Sequence, residues 1–231
     1  MRIGICVTFL LVLLVASIHA YQDPSCSSDN NCQLETWTSI HFPLKYSDEN
    51  QHCVLYQLGH YDKTFWLFTK TIAAIGLYVC PNSVIGNTKG SETTEAKNPL
   101  HHIKKSSGSL NGLNLFILLK PFISDIPNGM YRKYLGSDIT SKGKLLKLGR
   151  KQLDLIIQII NESIKVDLHY GDEVIIRMNP KTHEEIIVEH KHLSEFTRYT
   201  KHGFPNDVFV KLFKIFKEEC TITYSDKSIN I

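Results

Sequence analysis

The stretch "KTFWLFTKTIAAIGLYV", residues 63–79, is the longest nearly uncharged run of the chain outside its first twenty residues. Its β-branched and aromatic residues are typical of a β-strand. Successive side chains of a strand point to opposite faces, so Phe65 and Leu67 lie on one face and Trp66 and Phe68 on the other. A strand that is apolar on both faces is buried on both, or one face lines a cavity. The run therefore predicts a strand inside a globular core.

The first twenty residues predict a secretory signal peptide. Arg2 is followed by an apolar run to about Ala16, and the short residues before Ala20 suit cleavage there. No later segment reaches the ~18 consecutive apolar residues of a membrane span. We therefore expect no integral membrane association and a destination in the secretory pathway, either extracellular or in a secretory compartment. The formal net charge of +3 gives no electrostatic reason to expect nucleic acid.

The cysteines are consistent with an oxidising compartment. Of the six in the sequence, Cys6 leaves with the signal, so five remain and at most two intramolecular disulfides can form. We expect Cys26 to pair with Cys32 and Cys53 with Cys80, although sequence alone does not fix the connectivity. No Cys-x-x-Cys motif or close cluster of Cys and His residues indicates a zinc site. We therefore predict neither a metal nor a cofactor.

Composition divides the chain into a signal peptide, a polar N-terminal arm over 21–52, one domain over 53–220 and a C-terminal tail over 221–231. The first two apolar segments of the domain predict antiparallel strands joined by a turn at "GHYDK". A polar loop over 81–109 follows. Periodicity then predicts a strand over 113–119, an amphipathic helix over 144–160 weakened by Gly149, a hairpin of 171–178 with 184–190, and a helix over 207–219 capped by Asp207.

These segments predict an α+β fold, in which a large antiparallel sheet carries a layer of helices on one face. Four phrases stand in a characteristic order between residues 53 and 219: "LGHYDKTFWLFTKTIAAIGLYV", "LFILLKPFISDIPNGMYRKYL", "KVDLHYGDEVIIRM" and "KHGFPNDVFVKLFKIF". That order resembles the chalcone isomerase-like family. The resemblance implies an open-faced β-sandwich with a ligand cleft between the sheet and its helices.

The enzymes of that family close the ring of a chalcone by intramolecular addition of a phenolate to an enone, and they need no cofactor. The resemblance implies an arginine after the glycine turn, a threonine on the next strand, and tyrosine, lysine or asparagine from a later helical segment. This sequence has Tyr61 at the place of the arginine and Ala73 at the place of the threonine. Tyr61 carries no positive charge near neutral pH, and the side chain of Ala73 offers no hydrogen bond. Both losses favour a binding protein over an isomerase.

We therefore predict a secreted, non-catalytic, chalcone isomerase-like protein that binds a small apolar ligand, such as a fatty acid or a polyphenol-like molecule. Fatty-acid-binding members of the family are the nearest functional parallel that the resemblance offers. The predicted ligand-binding residues are Tyr61, Phe65, Leu67, Ala73, Ile75 and Tyr131.

Three alternatives remain open. An intramolecular lyase with a rebuilt active site would use Tyr61, Lys63, Asn128 and Tyr131. A haem or metal site would use His190 and His192, which lie two residues apart and so on one face of a strand. We interpret that pair as solvated. An interaction protein would use the polar loop over 81–109 as its contact surface.

Overall fold

The computed structural model describes residues 26, 31–47, 52–65, 68–80, 114–122, 127–192, 195–220 and 222–223. Within these ranges the strands are β1 (Cys32–Glu35), β2 (Ile40–Pro43), β3 (Lys45–Ser47), β4 (His52–Phe65), β5 (Phe68–Cys80), β6 (Asn114–Pro121), β7 (Glu173–Met178), β8 (Glu185–His192), β9 (Glu195–His202) and β10 (Ile222–Thr223). The helices are α1 (Asn128–Leu145), α2 (Arg150–Ser163) and α3 (Asn206–Lys217).

One large sheet organises the domain. Its strands follow the order β10-β4-β5-β6-β7-β8-β9, with β3 also paired to β4, and every pairing is antiparallel. The buried residues of α1, α2 and α3 form one hydrophobic cluster with one face of this sheet. The predicted α+β architecture, a large antiparallel sheet with helices layered on one face, is confirmed.

The nearly uncharged run that indicated a buried strand lies in β5, at the centre of the sheet. All its residues from Thr71 to Cys80 are buried. Ile75 and Leu77 belong to the cluster beneath the helices, whereas Ala74 and Tyr78 belong to a second cluster on the opposite face. Both faces of the strand are therefore covered, as a run without polar alternation requires.

The N-terminal arm supplies the cover for the second face. β1 and β2 form a separate hairpin, and Ile40 and Phe42 of β2 pack into the cluster that contains Tyr78 and Phe116. The Tyr78 hydroxyl donates a hydrogen bond of 2.9 Å to the Pro43 carbonyl. The arm that the sequence marks as polar thus contributes apolar side chains to the core.

The turn predicted at "GHYDK" is wrong, because β4 continues through these residues to Phe65 and pairs Gly59 with Ile75. Gly59 is needed because another backbone segment passes close to it, and not because the chain turns there. A β-carbon at position 59 would lie 2.5 Å from both the α-carbon of Cys220 and the carbonyl oxygen of Glu219. Residue 59 must therefore lack a side chain so that the chain beyond α3 can cross the strand.

Gly59→Ala is expected to lower the free energy of unfolding by about 1–3 kcal/mol, since backbone atoms must move to admit the methyl group. Chemical denaturation of the variant and the wild type measures the difference. Gly136→Ala is the matched control, because a β-carbon there meets nothing within 4 Å and alanine favours the interior of α1. Its stability should equal or exceed that of the wild type. Equal stabilities for Gly59→Ala and the wild type would contradict the close approach.

The helix boundaries differ from the predicted ones between α1 and α2. The helix predicted over 144–160 corresponds to α2, which begins at Arg150 with Gly149 as its N-cap, while residues 144 and 145 end α1, a helix that the periodicity did not predict. Gly149 is therefore a boundary and not a weak point inside a helix. The predicted cap by Asp207 is also wrong, because Pro205 holds that position in α3 and Asp207 lies in the first turn. The hairpin of β7 and β8 is confirmed.

Both predicted disulfides are present, Cys26–Cys32 and Cys53–Cys80. Cys220 is the remaining thiol of the described residues, and burial raises its pKa to about 12. Residues 1–20, the predicted signal peptide, lie outside the described residues, as does the loop over 81–109.

Candidate functional site

Tyr61, Lys63 and Asp138 form a polar cluster between β4 and α1. The Tyr61 hydroxyl donates a hydrogen bond to Oδ2 of Asp138, and Nζ of Lys63 lies 2.5 Å from Oδ1 of the same carboxylate. Burial of Tyr61, together with the neighbouring negative charge, raises the pKa of its hydroxyl well above the usual range. Tyr61 is therefore a neutral hydrogen-bond donor, and Lys63 is paired with a carboxylate.

Four of the predicted ligand-binding residues meet at the same interface of sheet and helix. Ala73 is the cross-strand partner of Tyr61, so the two side chains lie on one face of the sheet. Ile75 and Tyr131 are buried in the helix-facing cluster with Tyr61, and burial raises the pKa of the Tyr131 hydroxyl. The side chain of Phe65 and the whole of Leu67 lie outside the described residues.

Asn128 stands apart from this group. It is the first residue of α1, where its Nδ2 donates to the Lys165 carbonyl at 2.6 Å and its Oδ1 accepts from Arg132 at 2.9 Å. The rise of an α-helix puts it about 15 Å along the axis from Asp138. Asn128 therefore secures the start of α1 and is not part of the Tyr61 cluster.

Asp138 determines what the cluster can do chemically. A rebuilt lyase site would need Lys63 to hold an anionic nucleophile and Tyr61 to stabilise an enolate. In the structure the carboxylate of Asp138 accepts from both groups. The cluster as it stands is a neutralised ion pair with an added phenol, a polar border to the apolar interior.

An apolar cavity lies farther along the same layer, between the helices and the strands β7 and β8. Its free space is about 10 Å³, room for one water molecule, whereas ligand pockets commonly hold about 300–1,000 Å³. The predicted residues of β4 and β5 do not line it. Leu135 of α1 does, one helical turn from Asp138 and from Tyr131, and other wall residues are Ile156, Ile160, Ile186, Val188, Leu212 and Phe216.

One polar side chain belongs to the wall of this cavity. Ser163, at the end of α2, has a buried hydroxyl oxygen, and no hydrogen-bond partner for it exists within the part of the chain that the structure describes. A buried hydroxyl without a partner costs free energy. Such a group is suited to bind a polar atom of a molecule that enters the cavity.

The interpretation of His190 and His192 as solvated is wrong for His190, which is buried. Both histidines bond to Asp172, His190 through Nε2 at 2.9 Å and His192 through Nδ1 at 2.5 Å. Burial alone would raise the pKa of Asp172, but hydrogen bonds from His190, from the backbone of His169 and from His192 hold it below its usual value. The pair is part of a polar network at the end of the sheet.

Sequence reasoning missed Asp138 and Asp172, the carboxylates at the centre of these two networks. Asp138 follows Tyr131 by seven residues, two turns of one helix, so helical periodicity places both on one face. Asp172 directly precedes β7, in the phrase "GDEV". Spacing places Asp138 near Tyr131 on its helix and Asp172 at the start of a strand. Their contacts with β4 and with β8 appear only in the folded structure.

No helix among the described residues is long and apolar enough to cross a membrane.

Comparison with known proteins finds a likeness in structure but none in sequence. No family model matches the sequence, and no curated protein matches it. Among solved structures the chain is similar to the Arabidopsis thaliana fatty-acid binding protein AtFAP1, with 14% sequence identity and a TM-score of 0.47. The match covers 79% of this chain and 97% of that chain.

Proposed function

We propose that this is a secreted, non-catalytic protein that binds a small apolar ligand of the fatty-acid type between its sheet and its helices. The cavity beneath α2 and α3 carries this proposal, because its wall is apolar apart from the hydroxyl of Ser163. Secretion is supported by the apolar N-terminal segment and by two disulfides, which persist in oxidising compartments.

The driving force is the burial of an acyl chain. Each methylene removed from water contributes about 0.8 kcal/mol, so ten methylenes supply about 8 kcal/mol before the costs of association. The cavity in this conformation is too small for such a chain, and binding requires the helix layer to separate from β7 and β8. Large aliphatic side chains such as Ile160 and Leu212 then line the enlarged space.

Polar groups at the edge of this space fix the orientation of the ligand. Ser163 offers a hydroxyl within the wall, and the Tyr61, Lys63 and Asp138 cluster begins one helical turn from Leu135. A bound carboxyl group that accepts from Ser163 satisfies the buried hydroxyl and gains a charge-assisted hydrogen bond. In an enlarged cleft that extends toward the cluster, Tyr61, Ala73, Ile75 and Tyr131 form its sheet-side and α1 walls.

Ile160→Phe is expected to weaken the binding of a fluorescent fatty acid by at least about 10-fold, because the larger ring fills the space that the acyl chain needs, and about 1.4 kcal/mol of lost burial has this effect. Titration of the purified, delipidated protein measures the change, and native mass spectrometry counts the bound lipid. Leu145→Phe is the matched control, since Leu145 is 82% exposed on α1 and the same enlargement there should leave binding unchanged.

The same titration tests the role of Ser163. Ser163→Ala should weaken binding of a fatty acid more than that of its methyl ester, whereas Ser141→Ala, whose hydroxyl already donates to the Ser137 carbonyl, should change neither. Thermal unfolding of each variant verifies that it is folded. If the wild type binds no fatty acid by either method, the proposed function is refuted.

A further inference from the structure

We infer that the protein has a binding site for a divalent transition-metal ion of the zinc type, formed by His169, Asp172 and His192 at the end of the β7–β8 hairpin. One donor atom from each of these side chains lies within 4.8 Å of the others. The site is separate from the apolar cavity, whose wall contains none of the three. The inference therefore does not depend on the proposed ligand.

The sheet register brings the three donors together. Glu173 pairs with Lys191 in the antiparallel ladder, so the preceding residue Asp172 stands opposite His192. His169 lies three residues before Asp172, in the turn that leads into β7. The motifs His-x-x-Asp and His-x-His thus converge on one point from two segments of the chain that are twenty residues apart.

The donor atoms lie within 4.8 Å of one another, so shifts of about 1.5 Å or less bring them to the spacing of a coordinated ion. Zinc bonds to nitrogen and oxygen at about 2.0–2.1 Å, which puts the donor atoms of a tetrahedral site about 3.3 Å apart. Nδ1 of His169 lies 3.8 Å from Oδ2 of Asp172. Nδ1 of His192 lies 2.5 Å from Oδ1, a hydrogen-bond distance. A metal ion takes the place of the proton in that bond, and the two atoms separate by about 0.8 Å through rotation of the imidazole.

The carboxylate is held in place before any ion arrives. Asp172 is buried, and its Oδ2 is bonded to Nε2 of His190 at 2.9 Å and to the backbone N–H of His169 at 2.9 Å. Hydrogen bonds of this kind orient ligands and raise metal affinity. His190 is therefore a positioning residue, which acts on the ion through Asp172.

The two imidazoles of the site are partly exposed to solvent. The side chains of His169 and His192 are 41% and 30% exposed, and their ring centroids lie 4.6 Å apart. An ion can enter from this side and keep a water molecule as a further ligand. Two imidazoles and one carboxylate suit zinc and related divalent ions, and the absence of a thiolate among these ligands disfavours copper(I).

The test is a zinc titration of the chelator-treated protein in competition with a chromophoric chelator. We expect one tightly bound equivalent, and a higher midpoint of thermal unfolding in its presence because the ion binds the folded state. His192→Ala and His169→Ala should each weaken zinc binding by more than about 100-fold, beyond the loss that an outer hydrogen-bond partner causes. His202→Ala is the matched control, since that histidine is 85% exposed and lies 3.2 Å from the single carboxylate of Glu185.

His190 is tested separately as a positioning residue. His190→Ala should weaken zinc binding by about 10- to 100-fold, while His190→Gln, which keeps a donor for Asp172, should retain more of the affinity. Cobalt(II) provides a second readout, because its visible absorption reports coordination geometry, and this spectrum should shift in His190→Ala but not in His202→Ala.

Two results would overturn the site. One is wild-type protein that takes up no saturable equivalent of zinc and gives no cobalt(II) spectrum of a protein-bound ion, a measurement that needs no variant to fold. The other is affinity in folded His192→Ala equal to that of the wild type, which would assign the bound zinc to other histidines.

Discussion

Phe42→Ala is expected to lower the free energy of unfolding by about 3–5 kcal/mol, the usual cost of removing a buried phenylalanine ring. The ring is fully buried in the second cluster, on the face of the sheet opposite the helices, which is called the outer cluster below. It lies against Gly76, where a β-carbon would stand 2.6 Å from the ring, and 5.3 Å below the ammonium group of Lys120. Removing the ring leaves a cavity over the centre of β5.

Urea denaturation followed by circular dichroism measures this loss. Phe196→Ala is the matched control, because the ring of Phe196 is exposed on the edge strand β9, and surface substitutions commonly change stability by less than about 0.5 kcal/mol. Similar small losses for Phe42→Ala and Phe196→Ala would show that the arm does not form part of the core.

Replacing Cys53 and Cys80 together by alanine is expected to lower the free energy of unfolding by about 3–4 kcal/mol, mainly because the unfolded chain regains the freedom that the cross-link removes. The two cysteines are 27 residues apart in sequence and flank the paired residues Val54 and Val79 of β4 and β5. Both are buried in the outer cluster, so the loss of sulfur also removes packing there.

The second disulfide gives an internal comparison. Cys26 and Cys32 are six residues apart, and the shorter loop predicts a loss of about 2 kcal/mol when both are replaced. Cys220→Ala removes the free thiol and no cross-link, and serves as the control for loss of a cysteine. If the double replacement at 53 and 80 unfolds at the same urea concentration as Cys220→Ala, the bridge does not contribute to stability.

The outer cluster explains why these two changes have the largest expected effects. Phe42 closes the cluster from the arm, and the disulfide between Cys53 and Cys80 ties the two central strands at its border. The helix-facing cluster is larger and contains residues from three helices. The stability of the outer cluster therefore depends on fewer side chains than that of the helix-facing cluster.

Local patterns predicted the central strands β4 to β8 and the helices α2 and α3, but not α1 or β9. The apolar run from Thr71 to Cys80 is a strand covered on both faces, and the alternation in β7 and β8 is a hairpin. These predictions succeeded because the side-chain period of a strand is set by its own backbone. The same reasoning failed at Gly59, where the reason for a glycine is a backbone segment 160 residues later in the chain.

The candidate sites show the same limit. Tyr61, Ala73 and Tyr131 could be named from the order of segments, and the structure does bring them together. Asp138, which bonds to Tyr61 and Lys63, was not predicted, because only the docking of α1 on β4 makes them neighbours. The apolar cavity lies under α2 and α3, where no motif of the sequence indicated it.

Local sequence patterns account for the α+β class, the antiparallel central strands and the amphipathic helices α2 and α3, because periods of two and 3.6 residues are local properties. The folded structure was needed for the disulfide connectivity and for both sites. In it the polar arm covers the second face of the sheet, and Asp138 bonds to Tyr61 and Lys63. The donor atoms of His169, Asp172 and His192 lie close together. The physical reason is that register and helix docking depend on packing between distant segments, which no local pattern specifies.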